Sequence, residues 1–145
     1  MDKKNKYDCI KLENQLCFPL YACAKGIVRK YGPFLAELGL TYTQYIAMMV
    51  LWDKRKVTVS ELGEKLYLDS GTLTPMLKKL EACGYIKRER NAGDERIVDV
   101  SLTEDGLDLR EKAVSVPSHM KECVCLSHED YVQLYELLQK VLKKL

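Results

Sequence analysis

Two short helical segments separated by a break of a few residues, followed at once by a pair of alternating strands, leave the stretch from Thr58 to Leu102 few ways to fold. Thr58 and Glu61 have capping-box spacing, in which a hydroxyl and a carboxylate satisfy each other's backbone amides at a helix start. Leu62 and Leu66 share the face that follows, so the pattern predicts a helix of about two turns. In LDSGTLTPMLKKLEACG, Leu73, Met76, Leu77 and Leu80 mark a second apolar face, and Gly84 stands where a C-terminal cap belongs. Proline is tolerated in a first helical turn, where its missing N–H has no partner to lose, so Pro75 predicts a start near Ser70 to Thr72. Asp69, Ser70 and Gly71 close the link between the two helices, and the proportions are those of a helix-turn-helix. Tyr85 to Arg90 and Arg96 to Leu102 then alternate around Asn91, Ala92, Gly93 and Asp94, which predicts a β-hairpin.

The flanks read as helices. From Ile10 to Tyr31, Leu12, Leu16, Leu20, Ala24, Ile27 and Tyr31 recur at helical intervals, with Cys17, Tyr21, Ala24 and Val28 on an adjoining stripe. Pro19 interrupts that pattern and predicts either a kink or a fresh helix start beside Cys17. Gly32 and Pro33 predict a break, after which Thr41 and Gln44 box the start of a buried helix through Tyr45 to Trp52. Thr103 is expected to cap a helix running to about Val116, with Pro117 ending it. From Ser127 to Leu145 a last helical stripe carries Tyr131, Leu134, Tyr135, Leu138, Val141, Leu142 and Leu145. A chain of 145 residues with 47% hydrophobic content predicts one globular unit.

Charge has to be read locally. A formal net charge of +2, from 23 basic and 21 acidic residues, argues for no polyanionic partner. Yet Lys78, Lys79, Lys87, Arg88, Arg90 and Arg96 place six basic residues in a stretch of nineteen, across the second helix and the hairpin. Short hydroxyls at a helix start (Ser70, Thr72, Thr74) suit base edges and phosphates, and lysines a turn later suit the backbone. In this order of elements the pattern points to double-stranded DNA, with Arg96 at the hairpin tip suited to a narrow minor groove. The opening MDKKNKYDCI is too polar for a signal peptide and no run suits a membrane span, so a soluble, cytoplasmic protein is expected.

Three stretches carry a family resemblance: LENQLCFPLYA around Cys17, LYLDSGTLTPMLKKLE from Leu66 to Glu81, and DERIVDVSLTEDG from Asp94 to Gly106. They resemble the MarR family of winged-helix repressors and, within it, the organic-hydroperoxide-sensing OhrR branch. The resemblance implies a mainly α fold with a small β-hairpin wing. A winged helix-turn-helix at 41–102 would be flanked by dimerisation helices at 1–40 and 103–145, all in one MarR-like domain. It implies a homodimer on a pseudo-palindromic operator, with recognition-helix contacts at Asp69, Ser70, Thr72 and Thr74. Wing contact would fall at Arg96, which Asp94 pairs with in the family's acidic-x-arginine motif. Pro19 and Thr43 depart from the pattern, which has a non-proline residue and a proline at these places.

The sequence has six cysteines, Cys9, Cys17, Cys23, Cys83, Cys123 and Cys125, without the framework of a secreted scaffold. Peroxides are attacked by thiolate, so a sensor needs a lowered pKa and donors around the sulfur. In the resembling branch two tyrosines approach the reactive cysteine across the dimer interface, and they fall here on Tyr31 and Tyr42, with Tyr21 one turn beyond Cys17. The resemblance implies oxidation of Cys17 by an organic hydroperoxide and an intersubunit disulfide to Cys123 or Cys125. Cys9, Cys23 and Cys83 are expected to be buried or incidental thiols. No cofactor is expected. The rival readings are a regulator that responds to a metal through His119, Cys123, Cys125 and His128, one released by a small aromatic ligand, and a thiol peroxidase.

Overall fold

The computed structural model describes residues 6–144, so Leu145 of the last stripe lies outside the described residues. Two 3₁₀ turns, Asp8–Ile10 and Leu12–Asn14, lead into α1 (Cys17–Glu37). Of the two outcomes expected at Pro19, the fresh start is found: Cys17 is the first residue of α1 and Pro19 sits in its first turn, where the missing N–H is harmless. The expected break at Gly32 and Pro33 is absent, because α1 passes through Pro33 to Glu37. Arg29, whose carbonyl loses its donor, and Pro33 are both exposed to water, while Leu35 and Leu38 pack into the core and hold the final turn in place.

Both predicted capping boxes form. Thr41 accepts from the Gln44 amide at 3.3 Å while the Gln44 side chain accepts from the Thr41 amide at 2.8 Å, starting α2 (Tyr42–Lys54). Thr58 and Glu61 repeat the exchange at 3.1 and 2.7 Å and start α3 (Val59–Leu66). Next, α4 (Ser70–Ala82) is capped by Asp69. Pro75 lies in its second turn rather than its first, and the carbonyl it leaves without a donor belongs to the exposed Gly71.

The hairpin pairs β2 (Ile86–Arg90) with β3 (Val98–Leu102), from Ile86 opposite Leu102 to Arg90 opposite Val98. It is part of a three-stranded sheet, because β1 (Lys56–Thr58) adds antiparallel to the other edge of β3. Three residues are too few for alternation to register in a sequence, so this strand was not expected. Thr103 caps α5 (Glu104–Ala113). Pro117 does not end that helix but opens another, α6 (Val116–Val124), whose Val116 and Met120 are buried. Ser127 then caps α7 (His128–Leu142).

The core gathers one face from each of these elements. Leu35, Met48, Leu51, Leu62, Leu73, Leu77, Leu80 and Val100 are fully enclosed, with α2 running through their middle. Trp52 on α2 donates its indole N–H to the Gly106 carbonyl at 2.8 Å and so ties α2 to α5. By contrast α7 has no buried residue in the protomer: Tyr131, Leu134, Tyr135, Leu137, Leu138 and Val141 are all exposed. So are Leu12, Leu16, Phe18, Leu20 and Tyr21 around the start of α1. Among the described residues no single helix is long and apolar enough to cross a membrane.

Candidate nucleic-acid interface and thiol site

The helix-turn-helix presents α4 by its N-terminal end. Asp69 accepts from the Thr72 amide at 2.8 Å and from the Thr72 hydroxyl at 3.2 Å, and the two donors hold its carboxyl below the ordinary range. Asp69 and Thr72 therefore fix the helix start for each other. Ser70, Thr74, Lys78 and Lys79 are exposed along the same helix. An open groove of about 560 Å³ separates α4 from the wing, lined among others by Ser60, Ser70, Thr74, Arg88, Arg96 and Ile97.

At the wing tip Arg96 forks onto Asp94, with Nε to Oδ1 at 3.0 Å and Nη2 to Oδ2 at 2.9 Å, while its own amide donates to Oδ1 at 3.0 Å. Its side chain stays 90% exposed, so the guanidinium is aimed without being covered. The hydrogen bonds from Arg96 draw the Asp94 carboxyl below its ordinary range. A second layer holds this turn. Asn91 accepts from the Gly93 and Asp94 amides at 2.9 and 3.3 Å, and its Nδ2 donates to Asp99 at 3.0 Å. Asp99, buried and opposite Thr58 on β1, also takes Lys56 Nζ at 2.7 Å. Sequence reasoning read Asn91 as a turn residue only and passed over Lys56 and Asp99, which a strand too short to recognise brings together.

The remaining basic residues are unequal. Arg90 is exposed and donates to the Glu95 carbonyl at 3.2 Å. Lys87 pairs with Glu89 across 2.7 Å at the surface. Arg88, expected among the DNA contacts, is held by Glu81 of α4: Nε and Nη2 donate to Oε2 at 3.0 and 2.8 Å.

The thiols fall in two regions. Cys17 is exposed at the start of α1. Cys123 is half-buried against the core, while Cys125, exposed, ends α6 in the left-handed conformation (φ 45°) and donates its S–H to the Glu122 carbonyl at 3.0 Å. Cys9, Cys23 and Cys83, expected to be buried or incidental thiols, are not buried but exposed in the protomer. They occupy a 3₁₀ turn, the outer side of α1 and the C-cap of α4, positions that the core does not reach.

Tyr31 and Tyr42 come together with ring centroids 5.0 Å apart, and the unforeseen Tyr45 joins them at 5.9 Å from Tyr31. Burial, reinforced by the neighbouring tyrosines Tyr42 and Tyr131, raises the Tyr31 pKa, so its phenol keeps its proton. Tyr21 is exposed on α1, with Lys25 Nζ 5.7 Å from its ring centroid. His119 stacks on Phe34 at 4.8 Å instead of turning toward Cys123 and Cys125 as a ligand set. Among the described residues no three His, Cys, Asp or Glu side chains are placed to share a metal ion.

The sequence family described as Transcriptional regulator SarA/Rot matches residues 29–113, more than half of the chain. Over 142 residues the chain is 50% identical to the organic hydroperoxide resistance transcriptional regulator of Bacillus subtilis, covering 98% of this chain and 97% of that one. The chain belongs to the MarR family of winged-helix transcriptional regulators. Its place in the family is close to the hydroperoxide-responsive branch, and the family is one of regulators rather than enzymes. This MarR-family chain also superposes on AbfR of Staphylococcus epidermidis in two states. Against reduced AbfR bound to DNA the TM-score is 0.77 at 35% identity, over 97% of this chain and 98% of that one. Against disulfide-formed AbfR it is 0.67 at 36% identity, over 96% and 95%.

Proposed function

We propose that this protein is a homodimeric repressor whose hold on a pseudo-palindromic DNA operator is broken when an organic hydroperoxide oxidises Cys17. The single observation that carries the reading is the position of Cys17, exposed and first in a helix of 21 residues, in a chain half identical to a hydroperoxide-resistance regulator. Peroxide is attacked by thiolate, and a sulfur at an exposed helix start is open to the oxidant. Tyr31, kept protonated by burial, is a phenolic donor that can stabilise the partner subunit's thiolate in a dimer, with Tyr42 beside it.

DNA binding is assigned to the face described above. Ser70, Thr72 and Thr74 with the Asp69 cap enter the major groove, Lys78, Lys79 and Arg90 meet phosphates, and Arg96, aimed by Asp94, reaches the adjacent minor groove. The apolar faces of α7 and of the start of α1, left open in one protomer, pair with those of a second copy.

In the switch, the Cys17 thiolate attacks the outer peroxide oxygen. The O–O bond breaks, the alkoxide takes up a proton and leaves as alcohol, and sulfenic acid remains on Cys17. A second thiol then displaces hydroxide from that sulfur, releasing water and forming a disulfide. Cys125, exposed at the end of α6, is better placed for this than Cys123, which packs against the core. Joining the N- and C-terminal regions of two subunits re-spaces the wings, and two-fold recognition fails when half-site separation changes.

The test is operator anisotropy with reduced protein before and after stoichiometric organic hydroperoxide, with Cys17→Ser alongside. Release by the wild type, reversed by dithiothreitol and absent in Cys17→Ser, is the expected result. Equal behaviour of the two proteins, whether both release or neither does, overturns the assignment of Cys17.

A further inference from the structure

Arg88 sits midway along β2, opposite the fully enclosed Val100 on β3, and its side chain is only 22% exposed. Its partner Glu81 lies in the last turn of α4. The clamp has three points: the guanidinium donates twice to Oε2, and the Arg88 backbone amide donates to Oε1 at 2.9 Å. The side-chain bonds from Arg88, and then its amide, hold the Glu81 carboxyl below the ordinary range, so it is ionised at neutral pH. Such two-oxygen recognition fixes direction as well as distance. It crosses the turn at Cys83 and Gly84, the only covalent link between α4 and β2, and β2 runs directly on to the wing tip that carries Arg96.

We propose that Glu81 and Arg88 are positioning residues for DNA binding: the pair sets the angle between the recognition helix and the wing, and Arg88 neutralises no phosphate. A duplex that receives α4 in one groove and Arg96 in the next can be met only if the two are held at a set separation. The inference rests on DNA binding by this face and not on the thiol switch. It makes a prediction opposite in sign to simple electrostatics. Removing an acidic side chain from a DNA-binding face should tighten binding to a polyanion, whereas removing Glu81 should weaken binding to the operator.

The experiment uses reduced full-length protein and the duplex that the wild type selects from a randomised pool, with a random-sequence duplex as comparison. Affinity is measured against salt for wild type, Glu81→Gln and Arg88→Met, with thermal unfolding as the check that each is folded. Both variants should lose about tenfold on the selected duplex, the scale of one mismatched base pair. Both should bind the random duplex within about twofold of wild type and keep the wild-type slope of log affinity against log salt, because no phosphate contact is lost. A merely structural lesion would lower both affinities together. Tighter operator binding by Glu81→Gln, or a slope reduced by about one in Arg88→Met, overturns the proposal. If either single variant is unfolded, the exchanged pair Glu81→Arg with Arg88→Glu decides: a folded exchange protein that fails to regain operator binding also overturns it. A wild type that selects no duplex would instead defeat the DNA-binding reading, and a wild type indifferent to hydroperoxide would defeat only the switch.

Discussion

Replacing Gly106 by alanine should loosen the junction on which the DNA-reading elements meet. Gly106 is buried in the first turn of α5, and the carbonyl of Tyr85, the residue leading into β2, lies against it. A β-carbon there would stand 2.1 Å from the Tyr85 oxygen and 2.9 Å from Leu102 Cδ1, well inside van der Waals contact. Backbone cannot rotate away as a side-chain tip can, so α5 and the strand must part by roughly 1 Å. Four hydrogen bonds cross or brace that seam. Thr103 donates its amide to Tyr85 at 3.1 Å and its hydroxyl to Gly84 at 2.6 Å, Gly106 donates to Thr103 Oγ1 at 3.1 Å, and Trp52 donates to the Gly106 carbonyl at 2.8 Å. Overpacking costs about 1–3 kcal/mol, and one buried backbone group left unmet adds about 1–3 kcal/mol. At about 2–4 °C per kcal/mol for a chain of this size, melting should fall by on the order of 10 °C, read by calorimetry at fixed protomer concentration. Gly63→Ala is the graded comparison: its β-carbon would meet the Leu68 oxygen at 2.8 Å and a movable Leu73 methyl at 3.0 Å, so a smaller loss is expected. If Gly106→Ala melts within about 2 °C of wild type, or Gly63→Ala is the worse of the two, the seam is not the rigid element described and the reasoning fails.

Other expectations follow from the same geometry. Lys56 and then Asn91, by hydrogen bonding, hold the Asp99 carboxyl below its ordinary value of 3.8, and Arg96 does the same for Asp94. A depressed folded-state value means the unfolded chain takes up the proton first as pH falls. The contribution is therefore complete above the ordinary value and disappears as pH drops through the lower folded value. Amide exchange at Gly93 and Asp94, corrected for intrinsic rates, should accelerate only below about pH 4 and stay level from about pH 5 to 8; acceleration in the neutral range would refute the assignment. Leu134→Glu with Leu138→Glu should convert the dimer to a folded monomer in sedimentation, since neither side chain is buried within the protomer. A dimer that survives this pair would place its interface elsewhere.

Much of the site was legible because its signals are local. Thr41 with Gln44, Thr58 with Glu61, and Thr103 each cap the helix expected of them. A cap needs only a side-chain oxygen and an amide three residues away, both written in the same short stretch of chain. The apolar faces of α2 and α4 were legible for the same reason, since helical spacing alone brings their members to one side.

Prolines were misread wherever the decision lay outside their own turn. A proline removes one donor and crowds one carbonyl, but whether the helix survives depends on what its next turn packs against. Leu35 and Leu38 carry α1 past Pro33, and Val116 and Met120 give Pro117 a new helix to open. The third strand exists only because β3, some forty residues later, offers Lys56 to Thr58 a free edge.

What this sequence determined by itself is the succession of helix-turn-helix and hairpin, the helix starts at Thr41, Thr58 and Thr103, and the charge these elements carry. Tertiary structure alone decided how each charge is used. Arg88 and Arg96 are the same residue type in the same hairpin, yet one is clamped by Glu81 beside the enclosed core and the other projects, 90% exposed, from Asp94. Sequence records a guanidinium's charge, whereas the partner that holds it and the water left around it depend on which elements fold against one another.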